Sequence, residues 1–442
     1  MNRLIASVSI LTLFVAGIFS AFTNSSWSSV SAGQSLWRRL GAQQENITLK
    51  VGVAKTNITP QTPVPMSGYG SRDEVFKGIH DSLYATAVVF DDGNQKAVLV
   101  TADLIGFSNQ FCKETTDMIE KAAGIPGANV LISATHNHDG PVNNTYGINE
   151  NKDVADYVAF MQIQLVAVVV RASKNLVPAR IGTGTGSCNM NINRRALFAD
   201  GNIWLGRNPD GPCDKDVSVV RIDDVSKNTL AVLINWPCHG TTGGPNNYQI
   251  SGDWPGATSR FVESGIGGEV IVPVTIGASG DINPIYGPND QFSDIDAIGN
   301  ILAIEVIKVT ESVKTHDRGS ISTAKRTIIA KGRKPTDNRL PNQKLEPAAD
   351  VEIYLSVLRV GAVVFAGISG EVMTEIGMEI KKQSPYSHTV VVTHCNGSAG
   401  YLLTDDTYKE GGYEAMVSKT MPGTADQIIE NLNQMIRSLS ND

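Results

Sequence analysis

Apolar runs and amphipathic stretches alternate along most of this chain, and the alternation predicts its elements. Leu49 to Ile58, Leu83 to Phe90 and Lys96 to Thr101 read as strands, with Asp92-Gly93 as a hairpin-type turn between the second and third. A helix from Asn109 to Ala123 leads into the continuous apolar run Val130-Leu131-Ile132-Ser133-Ala134, which reads as a buried strand. Strand, helix and strand in that order predict a parallel pair with a crossover. A long apolar helix follows from Val154 to Lys174, and a polar loop covers Asn189 to Arg195. Asp216 to Ile222, Thr229 to Trp236 and Val270 to Ile276 read as strands, although Pro273 is awkward inside the last. Asp294 to Val313 is a helix, and His316 to Ala349 is polar enough to read as a surface excursion. Val351 to Phe365 gives two β-rich runs around Gly361, and a helix is expected to begin at Ser369-Gly370-Glu371. Thr389 to Thr393 is a strand, and a helix from Thr424 to Leu439 closes the pattern. The fold class predicted is α/β, a mixed and largely parallel sheet flanked by helices.

Chemistry gathers where these strands end. Thr135-His136-Asn137-His138-Asp139-Gly140-Pro141 follows the fourth strand run, Val130 to Ala134, and Gly140-Pro141 turns the chain. Side chains at i and i+2 of a strand share a face, so His136 and His138 can present two imidazoles to one site. Asp103 and His239 also lie just beyond strand ends, the latter in Pro237-Cys238-His239-Gly240. Ligands of open α/β sheets collect beyond the carboxyl ends of strands. Gly277-Ala278-Ser279-Gly280-Asp281 ends another strand, but it lacks the last glycine of a nucleophile elbow, which weakens Ser279 as a covalent nucleophile. The Gly-rich loop Met66-Ser67-Gly68-Tyr69-Gly70 lacks the spacing of a nucleotide-binding loop.

Composition narrows the classes. The chain has 442 residues and a formal charge of −7, with no basic cluster, so nothing favours a nucleic-acid partner. Arg3 precedes an apolar run from Leu4 to Phe22, the pattern of a secretory signal or, at this length, a membrane anchor. Val30-Ser31-Ala32 offers a small-residue cleavage site, so residues 1–32 are read as signal or anchor and 33–48 as a linker. The expected location is secreted or periplasmic, with anchoring as the alternative. The five cysteines form no C-x-x-C, which argues against a thiolate zinc clip. Asn46, Asn57, Asn143 and Asn396 begin glycosylation-type patterns.

Taken together, an ordered set of short motifs resembles the neutral, non-lysosomal ceramidase family. The set comprises Gly78-Ile79-His80-Asp81, Thr135 to Pro141, Asn191-Ile192-Asn193-Arg194, His239 with Ser251-Gly252-Asp253, and Gly280-Asp281-Ile282-Asn283-Pro284. Gly370-Glu371, Gly400-Tyr401-Leu402-Leu403-Thr404 and Tyr413-Glu414-Ala415 complete it. The resemblance implies a Zn2+ site made of His136, His239, Glu371 and Tyr401. It also implies His138 beside the metal as a proton-transfer or orienting group, Arg194 near the scissile group, and Asp281 in the same pocket. The activity implied is zinc-dependent cleavage of an amide in a small-molecule or lipid N-acyl substrate, with association at a membrane surface. One catalytic domain over 49–442 is implied, without the family's C-terminal immunoglobulin-like domain. The sequence departs from the family at Asn283, where a serine is expected. Two other readings stay open: a zinc hydrolase of a different, non-lipid amide or ester, and a non-catalytic surface module with a relict metal site.

Overall fold

Strand β1 (Lys50–Asn57) sits near the middle of an eight-stranded sheet. A computed structural model describes residues 49–439 except 144–150, 318, 338 and 343, so the expected signal or anchor, the linker and the Asn46 pattern lie outside the described residues. Short β2 (Gly78–Ile79) is followed by β3 (Tyr84–Asp91), β4 (Lys96–Ala102) and β5 (Val130–Ala134). Next come β6 (Val177–Ser187), β7 (Asn191–Leu197), β8 (Ile203–Asn208), β9 (Asp216–Asp224) and β10 (Thr229–Trp236). Then follow β11 (Gln249–Ile250), β12 (Val274–Ile276) and β13 (Ile282–Pro284). The large sheet runs β12-β10-β9-β6-β1-β3-β4-β5. It is mixed, and its parallel pairs lie only at its two ends, β4 with β5 and β10 with β12. The interior pairs are antiparallel, and for two of them short turns, Asp91 to Lys96 between β3 and β4 and Asp224 to Thr229 between β9 and β10, return the chain directly. Parallel pairing needs a crossover, and the helices Asn109–Ala123 and Asp253–Ile266 supply the two.

A second, four-stranded sheet is built from β14 (Ile321–Arg333), β15 (Pro347–Val360), β16 (Val363–Ile368) and β18 (Thr389–Val392). Between its last two strands lies β17 (Glu371–Val372), which pairs in parallel with β19 (Tyr401–Leu402). The two larger sheets share an apolar layer in which Leu99, Leu131 and Leu233 of the first meet Leu358, Phe365 and Val390 of the second. Each such side chain contributes about 1.5–3 kcal/mol on burial. The helix Lys152–Lys174 is apolar enough to cross a membrane by length and composition, yet its stripe Val154, Met161, Leu165, Val168 and Ala172 is buried against the first sheet.

Three expectations are corrected. Residues 189–195 are not a loop, since β7 pairs with β13 and β8; its polar side chains have buried partners that a hydropathy pattern does not reveal. The polar stretch from His316 to Ala349 carries β14, which pairs with β15 in a long hairpin whose outer residues face solvent. Glu371 does not open a helix. It lies in β17, and the helix Thr374–Gln383 starts beyond it, so Glu371 is held by strand pairing rather than in a helix's first turn.

Candidate metal centre

His136 follows β5 in a left-handed conformation, φ 51°. Strand alternation therefore stops before it, and a turn rather than the strand brings His136 and His138 together, with their Nε2 atoms 3.2 Å apart. His394, also left-handed at φ 51°, stacks on the His136 ring at 3.9 Å. Such backbone is rare outside glycine and asparagine, and it gathers at functional sites.

The two buried histidines are held alike. His136 Nδ1 lies 2.8 Å from the Ile105 carbonyl oxygen, and His239 Nδ1 lies 2.7 Å from that of Ser279. A carbonyl only accepts, so each Nδ1 carries a proton, and the neutral ring then presents its Nε2 lone pair. Both Nε2 atoms sit 3.3 Å from Glu371 Oε2. That oxygen is buried and has no hydrogen-bond partner. Pairing of β17 with β19 sets Glu371 directly beside Tyr401. Burial holds the Tyr401 phenol well above its ordinary pKa, and Arg194 opposes this.

Arg194 enters from β7 at a bulge. Asn193 pairs with Asn208 and Arg195 with Leu205, so the register slips at Arg194, which turns inward out of the strand's alternation. Its Nη2 donates to the Tyr401 hydroxyl at 3.0 Å, its Nη1 to Asn283 Oδ1 at 3.3 Å, and Nη1 lies 3.2 Å from His239 Nε2. Glu414 fixes it, accepting from Arg194 Nε and Arg195 Nη1, both at 2.8 Å. Burial pushes the Glu414 carboxyl up, but the two guanidiniums outweigh it and hold it below the usual range. Burial, with Arg194 adding, lowers His239 to about 4, and burial keeps His138 neutral.

This arrangement fits a cation. Two imidazole lone pairs and a carboxylate oxygen converge with no proton between them, and imidazole with carboxylate is a zinc donor set. His136, His138 and His239 also satisfy the spacing of a metal-binding group, so His138 is a fifth candidate donor. The structure thus brings together six of the seven residues singled out by sequence: His136, His138, His239, Glu371, Tyr401 and Arg194. It does not bring in the Asp281 side chain, which accepts from Asn193 Nδ2 at 2.9 Å and from the Thr374 amide at 2.8 Å. His80 is apart, paired with Asp81 and stacked on Phe292. Ser279 Oγ is buried without a hydrogen-bond partner, hence without a histidine base. Sequence reasoning gave no role to Glu414, although Tyr413-Glu414-Ala415 was among the resembling motifs, and it missed the stacking of His394 on His136.

Fold and site define a mixed α/β protein with a histidine–carboxylate–phenol centre beyond its strand ends. Residues 49–289 match the model of the neutral/alkaline non-lysosomal ceramidase N-terminal region, and the chain belongs to that family. It is 30% identical over 230 residues to neutral ceramidase B of Dictyostelium discoideum, covering 50% of this chain and 32% of that protein. Neutral ceramidase of Pseudomonas aeruginosa is 30% identical over 233 residues, 50% of this chain and 34% of the relative. The matched stretch thus spans about a third of those relatives' length. A crystal structure of the Pseudomonas enzyme superposes with a TM-score of 0.75 at 19% identity, covering 89% of this chain and 75% of that one, and so shares its fold.

Proposed function

We propose that this protein is a zinc-dependent hydrolase that cleaves the amide bond of an N-acylated lipid of the ceramide type. The observation that carries the reading is the convergence of His136 Nε2, His239 Nε2 and the unpartnered Glu371 Oε2 beside the Arg194 guanidinium. Family membership supports it. His136, His239, Glu371 and Tyr401 would hold the ion, Tyr401 as a phenolate that the Arg194 donor stabilises. Zinc bound there supplies Lewis acidity for a carbonyl and a water that ionises near neutral pH.

The chain's own residues do the rest. Arg194, locked by Glu414, offers a fixed cation to the oxygen that gains negative charge during acyl transfer. His138 is neutral and next to His136, so it can carry a proton from the attacking water toward the leaving amine. Asp281 works from beneath, tying β7 to the start of the helix Thr374–Gln383 through Asn193. Asn283 holds the place of the family serine and binds Arg194 through its side-chain oxygen. The N-terminal apolar run is read as an export signal or anchor.

The test is metal content of the purified protein together with fatty-acid release from N-acyl-sphingosine and from small N-acyl amides. Stoichiometric zinc with turnover of N-acyl-sphingosine is expected. Turnover of the small amides alone would keep the chemistry and move the substrate. No metal after reconstitution with zinc would remove the hydrolase reading in favour of a binding module.

A further inference from the structure

The glycine-rich loop Met66-Ser67-Gly68-Tyr69-Gly70 lacks the spacing of a nucleotide-binding loop, and in the folded chain it lies against His138 instead. Gly68 has φ 97°, a conformation that L side chains rarely adopt. It also leaves no room for a side chain. A Cβ there would stand 2.6 Å from His138 Cβ and 2.7 Å from its Cγ and Nδ1. Tyr69 meets the same ring edge-on, with centroids 5.3 Å apart. The ring's other aromatic neighbours are His136, at 4.8 Å, and His239, at 5.7 Å.

His138 is held differently from those two. Their Nδ1 atoms are fixed by carbonyls, whereas His138 Nδ1 is buried without a hydrogen-bond partner among the described residues. Its Nε2 faces His136 Nε2 at 3.2 Å, an atom committed to the ion in the proposed centre. With the ion bound, packing is left to orient this imidazole. The loop that packs on it is fastened to the segments carrying the histidines. Ser67 donates to the Gly140 carbonyl from its amide at 3.0 Å and from its hydroxyl at 3.2 Å. The Tyr69 hydroxyl donates to the Gly243 carbonyl at 2.7 Å, and Arg72 donates to the carbonyls of Ser67 and His138. We propose that Gly68 and Tyr69 are positioning residues for His138, a backbone wall and a ring edge that set the imidazole where hydrogen bonds do not. The consequence for turnover rests on the hydrolase reading, but the placement of the ring is read without it.

Carbon atoms settle about 3.5–4.0 Å apart, so Gly68→Ala must move ring or loop by about an ångström. A misplacement of that size costs about 10²-fold in rate. The experiment is imidazole NMR of the full chain labelled with 15N-histidine, alongside kinetics on N-acyl-sphingosine. In Gly68→Ala the His138 signals, assigned by their loss in His138→Gln, should shift while those of His80 and His388 stay. The expected fall in kcat is about 10²-fold, at unchanged KM and zinc content. In a His138→Gln background the same substitution should cost less than about twofold more, which a merely loosened fold would not produce. Gly70→Ala, whose Cβ meets nothing within 4 Å, should match the wild type in both readouts. Tyr69→Leu introduces no Cβ at Gly68 and serves if Gly68→Ala does not fold. It should move the same signals, with kcat down about tenfold. The proposal is overturned if the His138 signals stay in place in these variants, or if Gly68→Ala costs as much without His138 as with it. Shifted His138 signals in a protein with no hydrolase activity would keep the positioning and remove the hydrolase reading.

Discussion

Two polar clusters are buried side by side in this molecule, and they are built on opposite plans. In one, Arg72 donates to Asp139 Oδ1 and to the Gly244 carbonyl, both at 2.8 Å, and to the carbonyls of Ser67 and His138. Asp253 nearby accepts from the amides of Thr242 and Gly243 at 2.8 and 3.0 Å. Donors there meet acceptors, and positive meets negative. In the other, two imidazole lone pairs and a carboxylate oxygen face one another, while the protons that could separate them are committed to the carbonyls of Ile105 and Ser279. Burial alone does not distinguish the clusters. Sign does: the first cluster is closed in charge, cation against carboxylate, although Arg72 Nε and Asp139 Oδ2 lack further partners, whereas the open one sets acceptor against acceptor and is arranged to receive a cation.

The largest effects should come from breaking the open cluster. His239→Ala removes a lone pair that nothing else supplies. Zinc stoichiometry should fall below half under conditions that saturate the wild type, and turnover should fall at least ~10³-fold. Metal analysis beside fatty-acid release measures both, and full activity in the variant would remove His239 from the site. Next comes Arg194→Lys, which keeps a charge but loses the fork that spans Glu414, Tyr401 and Asn283. The expected loss is ~10²-fold in kcat with zinc content retained. Zinc lost together with activity would show instead that Arg194 maintains the ligands.

The closed cluster should respond in stability. Arg72→Met leaves Asp139 buried without its cation, at a cost of about 3–5 kcal/mol. Urea unfolding of the zinc-loaded protein measures it. Because Arg72 also donates to the His138 carbonyl, a modest fall in kcat would accompany the instability. An unchanged unfolding midpoint would mean that the contrast between the clusters is not energetic.

The contrast also explains what the sequence could and could not reveal. Most elements were legible because their apolar periodicity is strong: the helix over Asn109–Ala123 and the strand over Thr229–Trp236 appear with the limits predicted. β7 and β14 were not, because their stability comes from partners distant in the chain, β13 and β15, rather than from their own hydropathy. His136, His138 and His239 could be singled out as imidazoles past strand ends. Glu371 and Tyr401 could not be joined by spacing, since they lie 30 residues apart on two-residue strands whose pairing no periodicity encodes. Only the motif resemblance connected them. Glu414 stayed without a role because its partners, Arg194 and Arg195, are over two hundred residues away.

A third arrangement sharpens the comparison, a largely buried carboxyl with no contacting cation. Asp103, at the end of β4, accepts from the Tyr84 amide at 2.8 Å. Lys55 and Arg260 line the same small cavity and pull its pKa down, yet burial dominates and raises the carboxyl to about 7. An unfolded aspartate titrates near 4, so the folded form holds its proton through a range in which the unfolded chain has released it. Stability linked to Asp103 is therefore fully present below about pH 4 and is lost as pH rises through about 7. Asp103→Asn keeps an acceptor for the Tyr84 amide and cannot ionise. Relative to this variant, the wild type should lose on the order of 1–3 kcal/mol between pH 5 and 8, the smallest effect in the series. Paired urea titrations across that range measure the difference. A gap that stays constant with pH would mean that Asp103 is already ionised at pH 5, with Lys55 and Arg260 compensating it as Arg72 compensates Asp139.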